Sequence, residues 1–472
     1  MQLFLFLKKK KKLIMQLFQR KVRFGTLLVV PYLTSPSFTL QGTMLKQLTA
    51  LEGLPGNLNP NPRCAPINTF TDQPSMEHHP SMADLPYEVL TYILFKAPVK
   101  TLIKLRSVSK PLLSLIDSPC FIRLHLRYSI ATSSNVTVIL RRESELFSVS
   151  LESLNAADEL AHPLMCYSNR IRVLGSANGL LCITNVAEDI AFWNPSIKKH
   201  KVLPFLPVDR PCDHGMSVCG ARAYGFGYDS AHDDYKLVRI SQFVDLESEG
   251  FASEVKVFSL RANEWRRVEE MNYVLCYLKK NGTLACGALH WVVTKKFKLD
   301  EVDQIVSFDL TDENFRELPL PKCLEDQRVQ IEVGALGDCV SVTADYHDVR
   351  VDVWVMKEYR VKESWFMLFS IARTEVVGSF KYLRPLAYSK SGKEVLLVVD
   401  NQRLVWYDLR KKRVKNVKIL GMPDLFEAEI CLASLVPVEA SRRGYGKKHN
   451  LSEENHKKKR DDFLSEGFKL VL

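Results

Sequence analysis

Apolar residues recur at helical spacing over Asp84–Leu126, DLPYEVLTYILFKAPVKTLIKLRSVSKPLLSLIDSPCFIRLHL. Asp84 is placed to cap a helix whose apolar positions are Leu85, Val89, Leu90, Ile93 and Leu94. Pro86 falls early, where a missing amide proton costs nothing, and Glu88 in the first turn favours the helix dipole. Pro98 marks a break, and a second helix runs through Leu102, Ile103 and Leu105. Pro111 fits a helix's first turn, so Leu112, Leu113, Leu115 and Ile116 read as a third helix that stops near Ser118 and Pro119. A block of about 43 residues cannot bury so many large aliphatics within itself. One face is therefore expected to be covered by something else.

Downstream the period changes from helical to strand-like. Ile171–Ile183 reads as two strands around Asn178-Gly179, a favoured tight turn. Further strands are read near 190, 255, 305, 351 and 404, each leading through a turn to an aromatic or apolar run. A spacing of roughly 46 to 65 residues suits the blades of a propeller, with a distorted β-sandwich pair as the alternative. Loops at 206–223, 241–252, 294–303 and 321–330 would emerge at the rims, where partners are usually held.

The fold class expected is α+β multidomain: a small all-α module, then a mainly-β, propeller-like domain. The division reads 1–81 basic leader and linker, 82–128 helical module, 129–168 connecting segment, 169–438 β domain and 439–472 basic tail. The leader also reads as an appended or mis-called start, since Met76 and Met82 lie just before the helical module.

The formal charge of +11 does not make a nucleic-acid binder, because much of the excess sits at the ends. Nine Lys or Arg and no acid lie between Met1 and Leu51, and the tail adds Arg442, Arg443, Lys447, Lys448 and Lys457–Arg460. Eleven scattered cysteines suit reduced thiols of the cytoplasm or nucleus. Cys212 and Cys219, with Asp213 and His214 between, lack the close Cys pairs of a zinc site, so no metal is expected. Leu3–Leu7 precedes the lysines, the reverse of a signal peptide, and Arg20, Lys21 and Arg23 interrupt the next apolar run, so no membrane span is expected.

The helical block resembles the F-box. Leu85-Pro86, Glu88-Val89-Leu90, Ile93-Leu94, Pro98-Val99-Lys100, Leu102, Arg106, Val108-Ser109-Lys110, Leu115-Ile116 and Ser118-Pro119-x-Phe121 fall in that family's order and spacing. The resemblance implies docking to a Skp-type adaptor, and through it to a cullin-based ubiquitin ligase. It implies an adaptor-facing surface of Leu85, Pro86, Val89, Leu90, Ile93, Leu94, Pro98 and Val99, extended by Leu102, Val108 and Leu112. Family members usually carry Trp where this chain has Leu112, and the missing indole is expected to weaken adaptor binding by about 1 to 3 kcal/mol.

The β region resembles the F-box-associated interaction domain of plants. The matching stretches are Gly175-Ser176-x-Asn178-Gly179-Leu180-Leu181-Cys182, Trp193-Asn194-Pro195-Ser196, Tyr224–Asp229 with Asp234–Val238, and Leu289-His290-Trp291. In that family the domain is kelch-like and captures the protein destined for ubiquitination.

Gly175, Gly179, Gly225 and Gly227 read as turn or close-approach glycines, since no P-loop lysine follows them. Trp193, Trp265, Trp291, Trp354 and Trp406 read as core or inter-blade packing, and His290 as a satisfied strand histidine. Asp229, Asp233 and Asp234 cluster on a turn without EF-hand spacing. No catalytic or cofactor motif appears in a suitable context, so no enzyme, cofactor or small-molecule substrate is expected. The function expected is a non-catalytic substrate receptor. Its rivals are a nucleic-acid or chromatin binder using the basic termini, and an adaptor-independent scaffold.

Overall fold

The structure, a computed structural model, describes residues 87–164, 170–207, 217–245, 251–276, 281–295, 303–325, 329–347, 349–373 and 380–439. It falls into two compact units, and the second, 440–472, lies outside the described residues together with 1–86.

Four helices come first: α1 (Tyr87–Leu94), α2 (Val99–Leu105), α3 (Lys110–Ile116) and α4 (Pro119–Ala131). Pro111 sits in the first turn of α3, as its missing amide proton requires, and the Ser109 hydroxyl caps that helix by accepting from Leu112 N at 3.3 Å. Ser118 and Pro119 do not merely end α3. Ser118 caps a further helix, accepting from Phe121 N at 3.2 Å, and α4 then runs into the first strand.

Apart from two short 3-10 turns, Lys322–Leu324 and Lys362–Ser364, every remaining regular element belongs to one of six sheets. The first contains β1 (Val136–Arg142), β2 (Glu145–Ser150) and β3 (Asp158–Leu160), and the second β4 (Arg172–Ala177), β5 (Leu180–Thr184), β6 (Ile190–Asn194) and β7 (Lys199–Val202). The third holds β8 (Ser217–Asp229), β9 (Asp234–Asp245), β10 (Phe251–Ser259) and β11 (Glu264–Arg267). In the fourth, β12 (Val274–Leu275) and β13 (Thr283–Ala285) both pair with β14 (Ala288–Thr294), followed by β15 (Gln304–Asp309) and β16 (Phe315–Leu318). The fifth runs β17 (Gln330–Leu336), β18 (Cys339–Asp345), β19 (Arg350–Met356) and β20 (Trp365–Ala372). The sixth runs β21 (Leu383–Tyr388), β22 (Glu394–Val399), β23 (Arg403–Asp408) and β24 (Arg413–Asn416). The last strand, β25 (Glu427–Leu432), returns to the first sheet and pairs antiparallel with β1, Val138 opposite Ile430.

The inner strands neighbour one another in a closed ring: β25, β4, β8, β13 with β14, β17, β21 and back to β25. That closure makes the domain a six-bladed propeller and removes the sandwich alternative. The core is divided accordingly. One apolar cluster fills each seam between adjacent blades, for example Val238, Val255 and Val257 of blade three against Leu289, Trp291 and Phe308 of blade four. Trp193 and Trp291 are buried in such seams, and Trp265, Trp354 and Trp406 pack partly buried against them.

Two expectations are corrected. Residues 129–168 are not a connecting segment. They carry the end of α4 and the three outer strands of blade one, whose inner strand comes from the far end of the chain. Two of the four rim loops, 206–223 and 241–252, are also shorter than read, since β8 begins at Ser217, β9 runs to Asp245 and β10 starts at Phe251.

His290 lies fully buried on β14, its Nδ1 3.1 Å from Thr283 O and its Nε2 2.9 Å from Tyr359 Oη. Burial drives its pKa down to about 4. The unfolded chain therefore takes up a proton near pH 6.5 that the folded chain refuses until about pH 4. Stability is expected to fall through that window, by about 3 kcal/mol in all for this one group. His290→Gln, which keeps the polar contacts and does not titrate, should flatten urea-unfolding free energies between pH 7 and 4.5. An unchanged slope would remove His290 as the cause.

Candidate functional site

The helical module buries one stripe and leaves another bare. Leu94, Val99, Leu102, Leu112, Leu115, Ile116 and Phe121 form its core. Outside that core stand Tyr87 at 62% exposure, Val89 at 42%, Tyr92 at 56%, Ile93 at 48% and Val108 at 68%. Half of the large apolar side chains exposed among the described residues lie on this short module. Isolated exposed apolar residues need no explanation, whereas Val89, Tyr92 and Ile93 stand together on α1 as a candidate interaction surface.

The adaptor-facing residues expected from the sequence divide along this line. Val89, Ile93, Pro98 and Val108 are exposed and Leu90 is half-buried. Leu94, Val99, Leu102 and Leu112 are buried in the module itself, three of them at 0 to 1% exposure, so they shape the face and add almost no contact area to it. Leu85 and Pro86 lie outside the described residues. The Leu112 departure is thereby relocated, because its side chain fills the module's core at 8% exposure instead of standing on the surface.

The face is held at a fixed place on the propeller. Pro98 offers no side-chain cap to α2, and Asn135, in the turn that leads into β1, supplies one by accepting from Val99 N at 3.3 Å. His125 on α4 is buried, which lowers its pKa, and its neutral ring donates from Nε2 to Ala97 O at 3.0 Å. Ile122 and Leu126 of the same helix pack against the seam of blades two and three.

The stretch after β25 completes the attachment. Leu435 enters the helical core, while Val436 and Val438 enter that same seam. Asn194, wholly buried at the end of β6, donates from Nδ2 to Ser434 O at 3.1 Å and Val436 O at 2.9 Å, and its Oδ1 accepts from Ser196 N at 2.9 Å. A Cβ on Gly179 would lie 2.1 Å from Ser434 Oγ and 2.6 Å from Leu432 O. The Asn-Gly turn and the Trp-Asn-Pro turn of the sequence thus both serve one strap.

Because α4 enters β1 and the strap leaves β25 at the same end of the sheets, the module occupies that end of the propeller. At the opposite end, in the seam of blades two and three, a shallow pocket is lined by Asp189, Leu203, Phe205, Tyr224, Arg239 and Trp265. Arg239 pins its wall, donating to Leu206 O and Pro207 O at 2.9 Å while paired with Glu254 at 2.9 Å.

The aspartate turn is occupied by the protein's own cations. Lys236 Nζ lies 2.7 Å from Asp229 and 2.9 Å from Glu313, and donates to Leu310 O at 2.6 Å. Burial would raise the Asp229 pKa, yet Lys236 and His232 hold it down to about 2. Among the described residues no group of three or more His, Cys, Asp or Glu side chains could hold a metal ion. Cys212, Asp213 and His214 lie outside them. Nor is any helix there long and apolar enough to cross a membrane.

Residues 82–124 match the F-box domain family and residues 133–435 the F-box associated beta propeller domain family. Among curated proteins of Arabidopsis thaliana, "F-box protein CPR1" is 38% identical over 83% of this chain and 100% of its own length. "F-box protein At4g22390" is 33% identical over the same shares, and "F-box/kelch-repeat protein At3g23880" is 30% identical over 66% of this chain and 85% of its own. Helical module, six-bladed ring and sequence matches agree: the chain belongs to the F-box proteins that carry an F-box-associated β-propeller.

Proposed function

We propose that this protein is the substrate-recognition subunit of a cullin-based, SCF-type ubiquitin ligase. The bare face of α1, with Val108, docks a Skp-type adaptor, and the propeller end remote from the module holds the target protein. The observation that carries this reading is the uncovered apolar face on a module otherwise locked to a rigid ring. No chemistry is required of the chain. It acts by geometry, raising the effective concentration of target near a ubiquitin-charged enzyme held elsewhere on the scaffold. Cys120, Cys182, Cys286, Cys323, Cys339 and Cys431 stand as thiols, which supports placement in the reducing cytoplasm or nucleus.

The test is recovery of the intact chain on a purified Skp-type adaptor, compared with Val89→Asp/Ile93→Asp. Both side chains are exposed, so the fold should survive. Two buried charges at a desolvated interface should lower recovery by about a hundredfold or more. Leu94→Asp is a poorer probe, because it would break the module's own core. Equal recovery of wild type and double variant, both folded, would sink the assignment. Removing 1–75 and 441–472 should leave adaptor binding intact, whereas a nucleic-acid binder working through its termini would lose its salt-sensitive affinity.

A further inference from the structure

The outer edge of blade six carries more uncompensated basic side chains than the outer edges of blades three, four and five. Arg410, Lys411, Lys412, Arg413, Lys415 and Lys418 are all exposed on β24 and its flanking turns. None of the six is ion-paired to a carboxylate among the described residues. The adjacent Asp408 accepts the amides of Arg410 at 2.9 Å and Lys411 at 2.7 Å on one carboxylate oxygen, and its charge acts on those two side chains and not on Arg413, Lys415 or Lys418. Two exposed acids, Asp424 and Glu427, follow at a distance, and Glu427 is paired with Arg141.

Outer strands are commonly guarded by a lysine or two against edge-to-edge pairing, and that need does not account for six. On β16, Arg316 is answered by Asp312 and Glu317 stands beside it, while on β11 Arg266 and Arg267 pair with Glu313 and Glu270. β20 (Trp365–Ala372) carries no charge at all.

Beside this edge stands a rigidly displayed apolar side chain. Leu420 is 79% exposed, yet its backbone is fastened on both sides, its amide donating to Asn155 O at 2.8 Å and its carbonyl accepting from Ala157 N at 2.9 Å. Ile419 is buried in the seam behind it, and Gly421 at φ +74° turns the chain away. Such pinning lowers the entropy lost on contact, as a mobile loop leucine would not.

We propose that this edge docks an acidic protein segment containing an aliphatic or aromatic residue. Arg413, Lys415 and Lys418 receive its carboxylates, and Leu420 receives the apolar side chain. A leucine offers no π face for stacking a base, and Trp406 behind β24 packs into the seam, so a nucleic acid fits less well. A single apolar contact is also too little for a membrane surface.

The full-length chain would be titrated with a labelled peptide of alternating glutamate and leucine. Its glutamate–glycine counterpart, a single-stranded oligonucleotide and phosphatidylserine vesicles serve as comparators. Lys415→Glu/Lys418→Glu should weaken the glutamate–leucine peptide about tenfold or more, with a strong salt dependence. Leu420→Ser should weaken it several-fold and leave the oligonucleotide untouched. Both basic termini remain in every variant, so their contribution cancels. Peptide affinity unchanged by the charge reversal would overturn the proposal. So would equal affinity for the glycine peptide with Leu420→Ser silent, or tighter oligonucleotide or vesicle binding lost on Leu420→Ser. Lys415→Gln/Lys418→Gln reads the same comparison if the reversed variant is unstable. Val89→Asp/Ile93→Asp should keep the peptide affinity, so failure here and failure of adaptor docking are separately visible.

Discussion

Gly179→Ala should destabilise the propeller by about 3 to 5 kcal/mol, combining backbone strain with overpacking. Gly179 sits at φ +87°, where a side chain is strained whatever the space. Its missing Cβ is also the room through which Leu432 and Ser434 pass, and one of the three close atoms is a backbone carbonyl that cannot rotate aside. Accommodating a methyl group means moving the end of β25, the strand that closes the ring and leads into the strap under the helices. Asn194→Ala tests the same strap from the other side, leaving the carbonyls of Ser434 and Val436 short of a donor for about 2 to 3 kcal/mol. Urea unfolding followed by tryptophan fluorescence measures both. Amide exchange should show the helical module losing protection first, since Leu435 ties it to the strap. A Gly179→Ala midpoint equal to wild type would show that the ring does not depend on this closure.

The sequence made some of this visible and hid the rest for physical reasons. The strands read near 190, 255, 305, 351 and 404 are β6, β10, β15, β19 and β23, each third from the channel in its blade. Such a strand is buried on both faces, so its apolar run is dense; β10 is buried at Val255–Ser259 without a break. Blade one escaped notice because its inner strand lies at the other end of the chain, and local periodicity carries no record of a partner so remote. β8 was hidden differently. Its Gly-Ala-Arg-Ala stretch looks like loop, whereas Ala221 and Ala223 lie in the seam with Leu289 and Trp291 of blade four, which also crowd Gly225.

The bare face of α1 was half legible. Helical spacing identifies α1 as amphipathic, but the stripe of Leu94, Val99 and Leu102 that meets the module's own core and the stripe of Val89 and Ile93 that meets solvent differ only in what α3 and α4 cover. Asn135 as the cap of α2 left no local signal, because the residue it caps lies outside the reach of any capping pattern. Asn194 stood out only as part of the Trp193-Asn194-Pro195-Ser196 match. Its role appears only when the strap arrives beside it.

Lys236→Met should be nearly as damaging as closing the Gly179 gap, at about 3 to 5 kcal/mol, because it strands two buried carboxylates. Lys236 is the hub of an inter-blade latch: burial alone would lower its pKa, but Asp229 of blade three and Glu313 of blade four hold it up and keep it charged. Asp229 retains His232 at 2.7 Å and the Thr311 hydroxyl at 3.0 Å, and Glu313 retains Arg266, so the loss is of charge balance more than of packing. That distinction is measurable through pH. In wild type the Asp229 carboxylate stays ionised down to about 2, and its stabilising contribution is lost only as pH falls below its ordinary value of 3.8 toward that point. Without the lysine, desolvation dominates at Asp229 and its carboxylate takes up a proton in the folded state at higher pH than in the unfolded chain. The gap between wild type and Lys236→Met should therefore narrow between pH 7 and pH 4, and Lys236→Met/Asp229→Asn/Glu313→Gln should recover part of the stability at pH 7. A gap independent of pH, with no recovery in the triple variant, would mean that the lysine's alkyl stem matters at this seam and its charge does not.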